Sequence, residues 1–146
     1  MISKSALENI HSKGQFGDYE DKQKKDLIEI SELKDLFIVQ LVQFKNSSAS
    51  LNSIEIDNLK LSDVPLNVSS NDKTRILWSG PKNWLLVSYK KNLMQNLLEV
   101  FKESDFAITD LSHSRAVFEL EGKNVKEVLK KGCPFNFDNL KKNNSV

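Results

Sequence analysis

Asp110-Leu111-Ser112-His113-Ser114-Arg115 is a polar segment between two apolar runs, Phe106-Ala107-Ile108-Thr109 and Ala116-Val117-Phe118-Glu119-Leu120. Short apolar runs that are rich in β-branched and aromatic residues and bounded by polar residues are typical of strands. The pattern therefore predicts strand, polar turn, strand, and Gly122 ends the second strand.

The residues after this glycine predict a helix over 123–131, with an apolar face formed by Val125, Val128 and Leu129. Gly132 stands where a C-cap is expected, just before Cys133 and Pro134. The only cysteine and one of two histidines lie in these two adjoining segments, which hold the densest set of reactive side chains in the chain.

Composition limits the class of protein. The chain has 146 residues, 39% hydrophobic and 28% charged, and a net charge of +1. These values are typical of one globular domain and lack the basic excess of a nucleic-acid binder. One cysteine excludes an internal disulfide, and two histidines without close ligand spacing disfavour a self-contained zinc site.

The N-terminal region shows neither a signal peptide nor an apolar run long enough to span a membrane. We therefore expect a cytoplasmic protein without a membrane partner. Residues 1–26 predict a loosely ordered arm with one short helix near residues 7–10, and residues 27–146 predict an α+β domain. Two interpretations of the arm stay open, a flexible tail or a segment that docks on a partner.

Three strands and two helices are predicted before the apolar run that begins at Phe106. Residues 36–44 form a strand that is apolar on both faces, and residues 50–59 predict a short helix. Strands 74–79 and 84–89 are joined by a turn at Gly80 and Pro81, with Trp78 paired to Trp84 across the hairpin. Residues 91–102 predict an amphipathic helix with a core-facing stripe of Leu93, Met94, Leu97, Leu98 and Phe101.

This order predicts a mostly antiparallel sheet with helices on one face, close to ferredoxin-like connectivity.

The reactive residues do not predict catalysis. Asp110, Ser112 and His113 are too close in sequence to form a nucleophile, base and orienting group in line. Cys133 is expected to be structural, and Arg115 to pair with Asp110 or Glu119, or else to clamp a partner's carboxylate. No glycine-rich phosphate loop is present. We therefore predict no catalytic, cofactor-binding or metal-binding residue in this chain.

Three segments resemble the gamma subunit of heterotetrameric sarcosine oxidase. Residues 77–87, with Gly80, Pro81 and Trp84, resemble that family's LWLGPDEWLLV segment. Residues 110–118, with Asp110, Ser112, His113 and Arg115, resemble its DVSHGRTV segment. Residues 122–137, with Gly132, Cys133 and Pro134, resemble its GPxAxxVLAKGCPLDL segment. Asn83, Ser114 and Lys123 depart from the family's residues, and residues 1–73 add little motif support.

The resemblance implies the fold of the folate-binding domain of the glycine-cleavage aminomethyltransferase. It also implies a complex of alpha, beta, gamma and delta subunits that oxidises sarcosine to glycine with hydrogen peroxide and passes the one-carbon unit to tetrahydrofolate. FAD, FMN, NAD and zinc would belong to the other subunits, and alpha would be the main contact of this non-catalytic chain. Family members continue beyond the Cys-Pro segment, so a C-terminal truncation is expected. The alternative is a free-standing folate-binding protein of the aminomethyltransferase superfamily.

Overall fold

A computed structural model describes residues 5, 7–16 and 27–146. The chain divides into two compact units. The small unit comprises Met1–Asp35 and Ala116–Leu140, and the large unit comprises Leu36–Arg115 and Lys141–Val146.

The described part of the chain contains ten strands and two α-helices. In chain order they are β1 (Gly14–Phe16), β2 (Ile28–Leu33), β3 (Phe37–Gln43), β4 (Glu55–Ile56), β5 (Leu59–Lys60), β6 (Val68–Ser70), β7 (Thr74–Gly80), β8 (Asn83–Ser88), α1 (Leu93–Val100), β9 (Phe106–Asp110), β10 (Val117–Glu121) and α2 (Val125–Gly132). The chain is therefore of the α+β class, as predicted.

The large unit is built on a five-stranded antiparallel sheet in the order β6-β7-β8-β3-β9. The chain leaves β8, forms α1 and returns as β9 on the far side of β3. This is the split β-α-β arrangement that ferredoxin-like connectivity requires. β7 and β8 form the predicted hairpin, with Trp78 paired to Trp84.

The predicted helix over residues 50–59 is wrong. A 3₁₀ turn at Leu51–Ser53 leads into a two-stranded ribbon of β4 and β5. Asp57 and Asn58 at its tip have φ angles of 56° and 62°, the left-handed values of a type I′ turn. This turn reverses the chain where a helix would have continued.

The core of the large unit lies between its sheet and α1. Leu93 and Leu97 of α1 are buried against strand residues such as Val39, Leu86 and Trp84. Leu98 was predicted to join this core, but it is 55% exposed. The helix is only eight residues long, and its buried residues are Leu93 and Leu97, four positions apart. Residues four apart share a helix face, and Leu98 lies off that face.

The small unit has its own antiparallel sheet in the order β1-β2-β10. β10 pairs with β2, from Val117 opposite Leu33 to Glu121 opposite Glu29. The prediction of a single sheet is therefore wrong, because β9 and β10 belong to different sheets. Gly122 follows β10 with φ of 136°, and a Cβ there would lie 2.8 Å from the Leu27 carbonyl oxygen.

The end of α2 differs from the prediction. Gly132 is the last helical residue rather than a cap, and Cys133 is the C-cap in an extended conformation. The N–H of Cys133 donates to the carbonyl of Leu129 at 3.0 Å. No left-handed residue is needed when the chain leaves the helix directly into extended backbone.

Within the predicted arm, residues 7–10 form one hydrogen-bonded turn rather than a helix, with His11 N–H donating to the Leu7 carbonyl at 2.8 Å. The expectation of a loosely ordered arm stays a prediction, because residues 1–4, 6 and 17–26 lie outside the described residues.

Candidate functional site

The polar segment after β9 is fixed to the sheet of the large unit by the Ser112 hydroxyl. The Leu111 N–H donates to the Ile38 carbonyl at 2.8 Å and so extends the β3–β9 ladder. In a regular ladder the Leu111 carbonyl would accept a hydrogen bond from the Ile38 N–H in return. Here that carbonyl accepts instead from the N–H and the hydroxyl of Ser114, each at 3.0 Å. The Ile38 N–H donates instead to Ser112 Oγ at 3.0 Å.

Asp110 in turn orients Ser112. Its Oδ1 accepts from the Ser112 hydroxyl at 2.6 Å and from the Ser112 N–H at 2.9 Å. The hydrogen bond from the hydroxyl has the largest effect on the pKa of Asp110, followed by that from the N–H. Together they outweigh the effect of partial burial and hold this pKa below its usual value, and the nearby His113 lowers it slightly further. Asp110 and Ser112 thus form a local Asx-type turn that ends the strand.

His113 and Arg115 are exposed at the end of this turn. Arg115 does not form the predicted ion pair with Asp110: the ion pair found among the described residues of the large unit is that of Lys90 with Asp57. The reason is that the Asp110 carboxylate is already held by Ser112. The alternative pair with Glu119, a residue of the small unit, stays a prediction. A guanidinium without a local carboxylate is available to an external acceptor.

Gly80, Pro81 and Trp84 lie at the hairpin of β7 and β8. Trp84 is completely buried, and its indole N–H donates to the Ser62 carbonyl at 2.6 Å. Asp63 stabilises the turn, because its Oδ1 accepts from the indole N–H of Trp78 and from the N–H of Lys82, both at 3.0 Å. The role of Asp63 was not predicted, since it comes from a loop far from the hairpin in sequence.

The third predicted segment, Gly132, Cys133 and Pro134, lies in the small unit, whereas Asp110–Arg115 lies in the large one. Cys133 is partly buried and has a free thiol. Nearby, Lys130 of α2 donates to Asp138 and to Glu127, each at 3.0 Å, which ties the helix to the following 3₁₀ turn at Phe137–Asn139.

A polar cluster that the sequence analysis missed surrounds Asp57 at the ribbon tip. Its carboxylate accepts from Lys90 Nζ and, at 2.6 Å, from the hydroxyl of Thr74, which also contacts Ser88 Oγ at 2.8 Å. Thr74 and Ser88 are cross-strand partners and almost fully buried. Burial raises the pKa of Asp57, but the hydrogen bonds from Lys90 and Thr74 and the Lys90 charge outweigh it, so the pKa is lowered.

Beside this cluster lies a cleft of about 220 Å³ lined by residues of the ribbon and of α1. Its charged lining residues are Glu55, Asp57, Lys90 and Glu99. The pair Asp57–Asn58 is typical of a tight hairpin turn, so the ribbon could have been predicted from the sequence. The contact between Asp57 and Lys90 could not, because it depends on the tertiary structure.

The described residues contain no group of three or more His, Cys, Asp or Glu side chains that could hold a metal ion. Neither helix in this part of the chain is long and apolar enough to cross a membrane.

No protein-family model and no curated protein sequence matches the chain. Among solved structures, it is similar to a chain of the heterotetrameric sarcosine oxidase from Corynebacterium sp. U-96 in complex with pyrrole 2-carboxylate, with a TM-score of 0.67 and 25% identity. This likeness supports a relation to that family. The match covers 77% of this chain and 59% of that chain, so it spans less than two-thirds of the relative's length.

Proposed function

We propose that this chain is a non-catalytic, gamma-type subunit of a complex like heterotetrameric sarcosine oxidase. The observation that carries the proposal is the structural likeness to a chain of that enzyme, with a TM-score of 0.67 over 77% of this chain. The three segments at residues 77–87, 110–118 and 122–137 support the gamma assignment by their resemblance to that subunit.

In this proposal the complex oxidatively demethylates sarcosine to glycine, releases hydrogen peroxide and transfers the one-carbon unit to tetrahydrofolate. FAD, FMN, NAD and zinc are held by other subunits. The alpha subunit is the main partner, beta and delta complete the complex, and the assembly is cytoplasmic, with no membrane or nucleic-acid partner.

The geometry of the polar segment favours an assembly role over a chemical one. Ser112 Oγ is committed to Asp110 and to the Ile38 N–H, so it is a structural hydroxyl rather than a free nucleophile. His113 and Arg115 project from a turn whose backbone is fixed by those bonds. An exposed arginine on a rigid support is suited to bind a partner's carboxylate in a bidentate manner.

The proposal is tested by co-expressing this chain with alpha, beta and delta subunits of a sarcosine oxidase and purifying through a tag on alpha. We expect this chain to co-elute in stoichiometric amount. The chain purified alone should carry no visible flavin absorption and show no sarcosine-dependent peroxide formation. Failure to co-elute, together with saturable binding of tetrahydrofolate by the isolated chain, would favour the free-standing folate-binding alternative.

A further inference from the structure

One edge of the large-unit sheet already holds an extended piece of the chain itself. β6 forms this edge, and the segment Lys141–Val146 of the same unit lies along it in a short antiparallel bridge. The Val68 N–H donates to the Asn143 carbonyl, and the Ser145 N–H donates to the Leu66 carbonyl, each at 2.8 Å. The β6 edge therefore accepts an added strand through main-chain hydrogen bonds.

The segment uses only part of this edge. Its pairing stops at Asn143, which has a left-handed φ of 65°, because the Asn144 N–H donates back to the Lys141 carbonyl in a turn. Within the described part of the chain, the Val68 carbonyl and the Ser70 N–H have no backbone partner. Both point away from β7, as the Val68 N–H does. An occupant that stayed extended would bind these two groups in addition to those that the segment already binds.

The seated segment is held weakly enough to exchange. All six of its residues except Ser145 are exposed, and Val146 at its end is 59% exposed. The net gain from two main-chain hydrogen bonds is small, and the conformational entropy of ordering the segment opposes it. Segments with little buried apolar surface open locally without unfolding the rest of the protein. We therefore expect the β6 edge to be vacated at times.

We propose that the β6 edge is a strand-addition site for an extended, uncharged polar segment of a partner polypeptide, and that Lys141–Val146 is its replaceable internal occupant. The polar character follows from the side chains along the edge, which are those of Asn67, Ser69 and Ser70, and from the pairing of Asn67 with Asn144. Amide and hydroxyl side chains on paired strands favour one another through hydrogen bonds. This inference concerns a surface distinct from the polar segment Asp110–Arg115 and does not depend on the identity of the complex.

The experiment titrates the full chain, labelled with ¹⁵N, with the peptide Ac-Thr-Ser-Thr-Asn-Ser-Val-NH₂. This probe keeps the side chains of residues 144–146 and begins with Thr-Ser-Thr, because threonine favours extended backbone. A control peptide has proline in place of its second serine and so lacks the N–H that the Leu66 carbonyl accepts. We expect saturable amide shifts at residues 66–70 with the probe and none with the control. The opposite edge of the sheet, β9, should show no shifts with either peptide.

Two variants of the full chain change the occupancy of the edge in opposite directions. Ser145→Pro removes the N–H that binds Leu66, so the probe should bind more tightly than to the wild type, by about tenfold if the segment is seated about nine-tenths of the time. Lys142→Pro should weaken binding, because Lys142 precedes the left-handed Asn143 and proline is favoured at that position of a type II turn. Both residues lie outside the core, so thermal unfolding should stay near that of the wild type.

Four results would overturn the proposal. The first is the absence of saturable shifts in the Ser145→Pro chain, and the second is equal binding of the probe and the proline peptide. The third is a response of β9 as strong as that of residues 66–70, which would show unspecific association of sheet edges. The fourth is a dimer of the wild type that Ser145→Pro abolishes, which would make a second copy of Lys141–Val146 the occupant by exchange.

Discussion

Ser112 Oγ accepts a hydrogen bond from the Ile38 N–H at 3.0 Å, although 74 residues separate the two in sequence. A side chain thereby replaces the backbone carbonyl that would normally pair at this step of the β3–β9 ladder. The replaced carbonyl, that of Leu111, is turned toward Ser114. The polar segment is thus part of the sheet end, and the Ser112 hydroxyl completes the hydrogen bonding of β3 there.

Ser112→Ala should lower the free energy of unfolding by about 1–3 kcal/mol, because it leaves the N–H of the buried Ile38 without an acceptor. Chemical denaturation gives the energy, and hydrogen exchange at the Ile38 amide should become faster. Ser114→Ala is the matched control: the Leu111 carbonyl keeps the Ser114 N–H as donor, so the effect should be small. Equal effects of the two substitutions would contradict the role given to Ser112.

Trp84→Ala should destabilise the large unit by about 3–5 kcal/mol, the usual cost of truncating a buried aromatic residue. Trp84 is completely buried and also satisfies the Ser62 carbonyl. Tyr89→Ala is the control in the same region of the chain, since Tyr89 is 49% exposed. Thermal and urea unfolding of both variants provide the comparison; an unchanged melting temperature for Trp84→Ala would place this tryptophan on a surface instead.

Asp57→Asn isolates the charge of Asp57, because asparagine also tolerates the left-handed φ of 56° that the turn requires. Near neutral pH the variant should lose about 1.5–3 kcal/mol of stability, the usual range for a hydrogen bond to a charged group. The pKa of Asp57 is lowered in the folded state. Its contribution is therefore complete above the unfolded-state pKa and is lost as the pH falls through the folded-state value.

Urea denaturation of the wild type and Asp57→Asn between about pH 7 and pH 2 tests this sign. The stability difference should be constant near neutral pH and shrink below about pH 4, the ordinary pKa of an aspartate. Asp72→Asn serves as the control, since Asp72 is exposed and near the same loop. A difference between wild type and Asp57→Asn that grows on acidification would contradict the assigned role of Asp57.

The elements of the large unit could be predicted where the signal was local. The hairpin of β7 and β8 has a glycine-proline turn and flanking tryptophans, and α1 has apolar residues at helical spacing. The ribbon of β4 and β5 was missed because Leu51, Ile54 and Leu59 fit a helical period as well as a bent ribbon. The Asp57–Asn58 pair was the local signal for the turn.

The separation of β9 from β10 could not be predicted from local sequence. The same polar segment could close a hairpin or connect two sheets, and the outcome depends on the pairing of β10 with β2, far away in sequence. The same limit applies to the candidate sites. Asp110 and Ser112 were identified as part of the polar segment, but the sequence did not show that they would bind each other and so keep Asp110 from Arg115.

Arg115→Ala should weaken assembly with the alpha subunit in the proposed complex. Arg115 is exposed, and Asp110, one of the two carboxylates predicted to pair with it, is held by Ser112. We therefore expect its guanidinium to bind a partner's carboxylate. Loss of such an anchor typically costs about 2 kcal/mol or more in binding when it is a hot spot. His113→Ala should act in the same direction. Stability of the isolated chain should hardly change, since neither side chain is buried.

Arg75→Ala is the matched control, because Arg75 is the other arginine of the chain and is also exposed, on β7. Co-purification through a tag on alpha should fall for Arg115→Ala and His113→Ala and stay at the wild-type level for Arg75→Ala. Turnover per correctly assembled complex should remain nearly constant in all three, because an assembly residue changes the amount of complex and leaves its chemistry intact. Normal assembly with turnover reduced about a hundredfold, roughly 2.7 kcal/mol in the barrier, would instead place these residues in the reaction.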